Sequence, residues 1–228
     1  MIVSKAVLRT IPLFASLTDD QLDSVLKSAE TVTHAADAVL CHEGDAGDCL
    51  YILLEGRVKV CLLGREGKEI ILAILEPHSY FGEMALLDGS PRSATIITLV
   101  PSTLIRWSRS DFLALVLHDE TLALKILAHL VGCLRRANEQ IRTMAMFDIH
   151  GRVVRTLLRL AHEQGTRDNT RILIEPRPSQ EMLAHMVGCQ RETISRAMRD
   201  LQNCGYVKVV KRSLVVEERA LRRYWPSE

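Results

Sequence analysis

Aromatic side chains are scarce in this sequence, at 4% of 228 residues, and no apolar run reaches the roughly 18 residues that cross a bilayer. The six cysteines are scattered without a CxxC pair, and their spacing matches neither a zinc site nor an iron–sulfur cluster. The N-terminal residues lack a basic segment, a long apolar segment and a small-residue cleavage site, so we expect no signal peptide. These absences predict a cytoplasmic protein with reduced thiols and no metal.

Charge is distributed unevenly along the chain. Residues 1–149 carry 14 basic and 19 acidic side chains, a net charge of −5, whereas residues 150–228 carry 15 and 9, a net charge of +6. A basic segment suits a polyanion such as nucleic acid. We therefore expect only the last part of the chain to meet a polyanion, although a chance asymmetry would give the same charges.

The hydrophobic pattern changes twice in the first half of the chain. Residues 1–30 have the apolar spacing of helices, with Thr18 or Asp19 as an N-cap. From about residue 31 to 107, short apolar or alternating runs are separated by glycines such as Gly44 and Gly56, which is typical of a barrel or jelly-roll. Helices are then predicted from Ser110 and, without any proline, from about residue 119 to 146.

The segment FGEMALLDGSPRSAT, residues 81–95, has the chemistry of a sugar-phosphate site. Gly82 lets a ligand approach the backbone, and Glu83 can accept hydrogen bonds from sugar hydroxyls. Arg92 presents a planar fork of donors to two phosphate oxygens, and Ser93 adds a hydroxyl. One carboxylate and one guanidinium suit a cyclic nucleotide, although composition alone favours a surface ion pair between a turn and a strand.

The whole string resembles the phosphate-binding cassette of cyclic-nucleotide-binding domains. The matching residues are Phe81, Gly82, Glu83, Arg92, Ser93 and Ala94. The resemblance implies a β-roll around the cassette, in which Gly44 and Gly56 stand at turns. Met84, within the cassette, joins the predicted nucleotide-binding residues.

The long helix carries an apolar stripe in steps of three or four residues, close to a coiled-coil seam. Its members are Ile126, Leu130, Cys133, Ala137, Ile141 and Met144. A helix packed on its own domain would show the same stripe as core, but the polar opposite face favours a seam. In the resembled family this helix is the dimer interface and closes over the nucleotide, so we expect a homodimer.

The identity of the effector depends on the end of this helix. Aligned on the hinge motif at residues 148–152, Ala137 and Asn138 stand where the resembled family places adenine-contacting hydroxyls. Asn138 has a donor and an acceptor and can read a purine edge, whereas Arg135 and Arg136 can serve a second phosphate. Cyclic AMP is the first expectation, then cyclic GMP or cyclic di-GMP, and a vestigial pocket stays an alternative.

Residues 178–207 predict a helix-turn-helix. Ser179 caps one helix, residues 187–189 form a turn with a central glycine, and Gln190 or Arg191 begins a second helix. A solvated face with an intrahelical charge pair would also explain the charged side chains of that helix. Residues 165–169 are expected to be a polar loop, and the segment from Tyr206 predicts a two-stranded wing around residues 211–213.

The second helix resembles the recognition helix of the catabolite activator and FNR superfamily of bacterial transcription regulators. Arg191, Glu192 and Arg196 match its base-reading residues. Arginine fits N7 and O6 of guanine and glutamate accepts from N4 of cytosine, so the resemblance implies TGTGA-like half-sites. The predicted DNA-binding residues are Gln190, Arg191, Glu192, Ser195, Arg196, Arg199 and Lys211.

Nearly the whole chain resembles this superfamily, closest to its cyclic-AMP receptor branch. The implied fold class is α+β: an N-terminal β-roll (jelly-roll) in residues 1–118, a long helix and hinge in 119–149, and a C-terminal winged helix-turn-helix in 150–228. The implied function is a cyclic-nucleotide-responsive, dimeric transcription regulator that binds DNA and RNA polymerase and no membrane. The alternative is the same fold with a cyclic di-GMP response or a ligand-independent, vestigial pocket.

An enzyme is the rival reading of a phosphate-binding pocket. The sequence contains no metal-ligand cluster, no nucleophile paired with a base and no P-loop, so we expect no enzymatic activity. A ligand-responsive module that regulates a protein partner is a second rival, against which the helix-turn-helix argues.

Overall fold

The structure is a computed structural model that describes residues 3–65, 68–168 and 170–217. Two compact units can be distinguished in it. The first runs to Leu134 apart from residues 68–70, and the second comprises residues 68–70 and the described residues from Arg135 onward. The division into residues 1–118, 119–149 and 150–228 stays a prediction.

The first unit begins with two short helices, α1 (Lys5–Arg9) and α2 (Asp19–Ser28). Thr18 caps α2 in a capping box, because its hydroxyl accepts from the backbone of Gln21 and the Gln21 side chain accepts from the backbone of Thr18. Turns occupy much of residues 10–18, so the expectation of helix throughout 1–30 is too broad. Pro12 lacks the N–H that a continuing helix needs.

Eight antiparallel strands form two four-stranded sheets in the order β1-β8-β3-β6 and β2-β7-β4-β5. Their bounds are β1 Ala29–His34, β2 Val39–Cys41, β3 Cys49–Glu55, β4 Val58–Leu63, β5 Glu69–Leu75, β6 Tyr80–Phe81, β7 Thr95–Thr98 and β8 Ser102–Ser108. Gly44 and Gly56 have φ angles of 88° and 98°, which confirms that they stand at turns requiring a left-handed backbone.

Three helices complete this part of the chain: α3 (Glu83–Asp88), α4 (Arg109–His118) and α5 (Glu120–Met146). Ser108 is the N-cap of α4, so this helix begins slightly before the predicted Ser110. Phe14 and Phe112 both pack edge-to-face on Trp107, with ring centroids 5.8 Å apart in each pair. The core around these rings also buries Leu122 and Ile126 of α5.

The predicted seam of α5 is wrong in its first half. Ile126 is only 2% exposed, and Leu130 packs against the same core. A different apolar stripe, here called the exposed stripe, is open to solvent on α5 at 50–66% exposure: Leu124, Leu127, Val131, Leu134 and Ile141. The sequence carries apolar residues on two faces of this helix, and a count of steps alone does not say which face the β-roll covers.

The second unit contains a helix-turn-helix and a four-stranded antiparallel sheet in the order β11-β12-β10-β9. Its elements are α6 Ile149–Gln164, β9 Thr166–Asp168, β10 Arg171–Ile174, α7 Gln180–Val187, α8 Arg191–Asn203, β11 Val207–Val210 and β12 Ser213–Glu217. Asp148 caps α6 by accepting a 2.8 Å hydrogen bond from the backbone of Gly151. The α+β fold class is confirmed.

The predicted polar loop at residues 165–169 is wrong over Thr166–Asp168, which form strand β9 paired with β10. All three side chains of β9 are exposed, so the strand has no apolar alternation by which a sequence pattern reveals it. Asn169 lies outside the described residues.

None of the described helices is both long and apolar enough to span a bilayer.

Candidate functional site

Gly82 joins β6 to α3 and holds the cassette in shape. It is the N-cap of α3 with a left-handed backbone, φ 88°. A Cβ at this position would collide with Nη1 of Arg92. Both the backbone angle and the close approach of Arg92 therefore require glycine here.

Arg92 lies beneath the cassette and is only 5% exposed. Its Nη1 donates to the carbonyl of Gly82 at 2.9 Å, and its Nη2 donates to the carbonyl of Cys49 at 2.6 Å. Nη2 also lies 3.8 Å from a carboxylate oxygen of Asp48, and the guanidinium carbon lies 5.9 Å from the ring centroid of Tyr51. These contacts hold the guanidinium in one orientation.

The Nε atom of Arg92 is a buried donor that finds no acceptor among the described residues. Buried donors are nearly always paired in folded proteins, so this donor is available to a partner from outside the chain. A guanidinium has five N–H groups and suits an anion such as phosphate. The arrangement can therefore receive an anionic ligand without losing its backbone anchors.

Glu83 is the first residue of α3 and is 5% exposed. Its Oε1 lies 3.5 Å from Nε2 of His129 on α5, and the same Nε2 lies 3.5 Å from Sγ of Cys133. The surface ion pair between Glu83 and Arg92 is therefore not present in the described structure. Both residues are buried, and each faces a different charged partner.

The charge of Glu83 is matched by the imidazole beside it. A hydrogen bond with Cys133, followed by the Glu83 carboxylate, raises the pKa of His129 to about 9. The Tyr80 ring lies over this imidazole with centroids 4.4 Å apart, and burial, with the Glu83 charge second, raises the pKa of its hydroxyl. At neutral pH the imidazole is consequently cationic next to the buried carboxylate.

The sequence identifies Cys133 only as a member of the apolar stripe of the long helix, and it does not single out His129. The one signal that points to them is their spacing of four residues on a helix, which puts both on the same face. Nothing in that spacing shows that the face meets Glu83, because the contact joins residues 46 positions apart.

The remaining predicted nucleotide-binding residues are more open. Met84 is 47% exposed, and Oγ of the exposed Ser93 lies 3.8 Å from its sulfur. Asn138 is exposed on α5 in the second unit, nine residues beyond His129, which is roughly 13 Å along a helix axis. The structure thus brings five of the six predicted residues together in the cassette, and Asn138 belongs to the second unit.

The helix-turn-helix has the capping that the sequence predicts. Oγ of Ser179 accepts a 3.0 Å hydrogen bond from the backbone of Met182 at the start of α7. Gly188 ends α7 with φ 74°, and Gln190 is the N-cap of α8. The buried face of α8 comprises Ile194, Ala197, Met198 and Leu201. The left-handed glycine turns the chain so that α8 exposes its polar face.

The charged side chains of α8 are available for ligands. Arg191, Glu192, Arg196 and Arg199 are exposed, and Ser195 is partly exposed between them. None of these arginines forms an ion pair in the part of the chain that the structure describes, so the intrahelical pair considered from the sequence is absent. Lys211 is exposed at the tip of the β11–β12 hairpin, with φ 51°.

The sequence matches two family models, "Cyclic nucleotide-binding domain" over residues 31–119 and "Crp-like helix-turn-helix domain" over residues 151–224. The "CRP-like cAMP-activated global transcriptional regulator" of Mycobacterium tuberculosis is 27% identical over 219 residues, 95% of this chain and 98% of that protein. The "Cyclic AMP receptor protein" of Thermus thermophilus is 30% identical over 210 residues, 92% of this chain and 94% of that protein.

A solved structure shows the same fold. The c-di-GMP responsive global regulator CLP of Xanthomonas campestris superposes with a TM-score of 0.72 at 22% identity, covering 88% of this chain and 99% of that chain. The cassette, the helix-turn-helix and the two family matches agree with one another along the chain. The protein therefore belongs to the CRP/FNR family of transcription regulators.

Proposed function

We propose that this protein is a dimeric transcription regulator whose binding to DNA is controlled by a cyclic nucleotide, with cyclic AMP as the first candidate. The observation that carries the proposal is the buried Arg92, anchored on two backbone carbonyls with its Nε unpaired among the described residues. An orphan cationic donor beside a positive-φ glycine fits a phosphate. The names of the relatives from Mycobacterium tuberculosis and Thermus thermophilus refer to cAMP and cyclic AMP, which supports that choice.

In this mechanism the phosphate binds Nε of Arg92 and the hydroxyl of Ser93, while Glu83 accepts hydrogen bonds from the ribose. The Glu83 carboxylate already faces His129 at 3.5 Å, so ribose binding weakens or replaces that contact. Met84 covers the ligand from the solvent side. The nucleotide thereby acts on α5, the helix that carries His129.

The exposed stripe of α5 is the surface that we assign to the dimer interface. Its members follow one another in steps of three, four, three and seven residues, and the last step skips Asn138. Spacing of this kind produces a coiled-coil seam with two-fold symmetry. Asn138 then lies within the seam, where it reads the purine edge, and Arg135 and Arg136 beside it offer charges to a second phosphate of cyclic di-GMP.

Nucleotide binding would select the arrangement of α5 in which the two recognition helices of a dimer lie one DNA turn apart, roughly 34 Å. Arg191, Glu192 and Arg196 then read TGTGA-like half-sites from the major groove. Phosphates are contacted by Gln190, Ser195, Arg199 and Lys211. The DNA-bound dimer acts on RNA polymerase in the cytoplasm, and no catalytic role is proposed, since the named relatives are a regulator and a receptor.

Calorimetric titration of the reduced protein with cyclic AMP, cyclic GMP and cyclic di-GMP tests the proposal. Each titration is run alone and with a duplex that holds TGTGA and its inverted repeat about six base pairs apart. We expect one nucleotide to bind and to tighten binding of this duplex over a scrambled one. Specific DNA binding without any nucleotide response would instead support the vestigial pocket.

A further inference from the structure

The cluster formed by Glu83, His129 and Cys133 has a use beyond the partnering of a buried carboxylate. These residues offer one carboxylate oxygen, one imidazole nitrogen and one thiol sulfur, and the three atoms lie within 4.8 Å of one another. Such a mixture of oxygen, nitrogen and sulfur donors is the ligand set that zinc accepts in proteins. We propose that this cluster is a binding site for Zn²⁺.

The two distances that start at Nε2 of His129 agree with those of a tetrahedral zinc site. Zinc–ligand bonds of about 2.0–2.3 Å at tetrahedral angles put neighbouring ligand atoms roughly 3.4–3.6 Å apart. Nε2 of His129 lies 3.5 Å from Oε1 of Glu83 and 3.5 Å from Sγ of Cys133. The nitrogen–oxygen separation is long for a strong hydrogen bond. Together, the nitrogen–oxygen and nitrogen–sulfur separations fit two edges of a zinc tetrahedron.

The scaffold holds these atoms before any ion arrives. His129 and Cys133 are four residues apart on the 27-residue helix α5, which places both side chains on one face. Glu83 is fixed at the start of α3, directly after the constrained Gly82. The Tyr80 ring packs on the imidazole and limits its rotation.

The cluster is largely shielded from solvent but is accessible to an ion. The Glu83 side chain is 6% exposed, while that of His129 is 28% exposed, so an ion can enter past the imidazole. Three protein ligands leave a fourth position for water, as in zinc sites that are not closed. Zinc would displace the protons of the thiol and the imidazolium, leaving the bound metal with two anionic ligands.

Zinc at this cluster would oppose the nucleotide. Resting on the proposed function, this consequence follows because the carboxylate that binds the metal is the one assigned to the ribose. Each ligand would then reduce the affinity of the other by the same factor. The protein would respond to a cyclic nucleotide only where free zinc is low.

Titration of the reduced, metal-free protein with Zn²⁺ and with Co²⁺ tests the site without any nucleotide. We expect one ion per chain and a near-ultraviolet thiolate-to-cobalt band. Cys133→Ser should abolish the band, and Cys133→Ser and His129→Gln should each weaken zinc binding by roughly 100-fold or more. Cys204→Ser, which removes an exposed thiol, is the matched control and should leave both signals unchanged.

Equal zinc affinity in the parent, Cys133→Ser and His129→Gln proteins would overturn the proposal, as would a cobalt spectrum without a thiolate band. A second experiment measures cyclic AMP affinity with and without zinc in the parent and in Cys133→Ser. Zinc should weaken nucleotide binding at least tenfold in the parent only. If no nucleotide binds, the proposed effector is wrong, whereas the metal titration still decides the zinc site.

Discussion

Nη1 of Arg92 donates a 2.9 Å hydrogen bond to the carbonyl oxygen of Gly82, and the guanidinium occupies the space that a Cβ at position 82 would need. Arg92, the residue proposed to bind the phosphate, is therefore anchored on Gly82. Gly82 immediately precedes Glu83, the residue proposed to bind the ribose. Any change that moves one of these groups moves the others. The cassette is a unit in which backbone shape and ligand chemistry depend on each other.

Gly82→Ala should damage the pocket more than Gly89→Ala. Both glycines have positive φ, 88° and 73°, so alanine costs about 1–2 kcal/mol of backbone strain at either position. Only at Gly82 does the added carbon collide with Arg92, whereas at Gly89 it meets Arg109 at an ordinary 3.7 Å. Thermal unfolding and nucleotide titration of both variants measure the difference.

Both variants should lose melting temperature from the shared backbone strain. The collision with the buried Arg92 should make the loss larger in Gly82→Ala, and only this variant should also lose nucleotide affinity. Equal nucleotide affinity in the two variants would show that the position of Arg92 does not matter for the ligand.

Arg92→Lys should reduce nucleotide affinity at least about tenfold, because lysine keeps the charge but lacks the planar fork and the Nε donor. It would also lose one or both bonds to the carbonyls of Gly82 and Cys49, at roughly 1–3 kcal/mol for each carbonyl left unpaired. Arg92→Leu is less informative, since it removes those bonds and the charge together. Calorimetry and chemical unfolding separate the two effects.

Arg57→Lys is a matched control, because Arg57 is a partly buried arginine of the same unit that pairs with Glu76 at 2.8 Å. It should leave nucleotide binding at the parent level. If Arg92→Lys binds the nucleotide as tightly as the parent, the phosphate role of Arg92 is wrong.

Most of the features that the sequence predicts correctly are local motifs. The caps at Thr18 and Ser179 and the turn at Gly188 depend on neighbours within four residues, and the structure shows each of them. The residue types of the cassette likewise indicate a site that binds an anion. Such features are encoded over short distances, where the choice of residue types is small.

The errors and omissions involve long-range packing. Spacing alone places the α5 seam on the face of Ile126, because two apolar faces of one helix give similar spacings and only the β-roll core decides which face is covered. The partner of Glu83 cannot be found from local spacing, since His129 approaches it from a distant part of the chain. The strand β9 gives no signal in the sequence, because an exposed edge strand has no apolar pattern.

Arg191→Ala and Glu192→Ala should each relax specificity at one base pair of the half-site, costing roughly 1–3 kcal/mol at that position. Neither side chain has an ion partner within the described residues, so its removal leaves no buried charge behind.

Lys211→Ala should weaken the binding of all duplexes alike and reduce the salt dependence of binding by about one ion. Competition assays with single-base variants of the half-site measure the change in affinity at each base pair.

The control for overall charge is Arg65→Ala, an exposed arginine of the other unit. It should change neither the preferred sequence nor the affinity for it. An Arg191→Ala protein that keeps the same preference by the same margin would remove Arg191 from the base-reading set.

Leu127→Glu should abolish the dimer while the first unit stays folded. Leu127 is 57% exposed on the exposed stripe, so the charge lies in solvent in the monomer and is buried only in the seam. Ile126→Glu is the opposite case, because Ile126 is 2% exposed and the charge would enter the β-roll core. Sedimentation velocity and thermal unfolding distinguish loss of association from loss of fold. A dimeric Leu127→Glu protein would exclude this stripe as the interface.

Asn138→Leu tests whether the one polar residue of the seam is there for the ligand. Asn138 stands at the position between Leu134 and Ile141 where the heptad spacing calls for an apolar side chain, and a polar residue there weakens a coiled coil. Leucine should therefore tighten the dimer, and the loss of the purine contact should lower cyclic AMP affinity and bring it close to that for cyclic GMP. Ala137→Leu adds the same side chain at an exposed neighbour outside the stripe and should change neither property. A tighter dimer with unchanged nucleotide preference would assign Asn138 to the specificity of the seam alone, and purine recognition would then have to come from other residues.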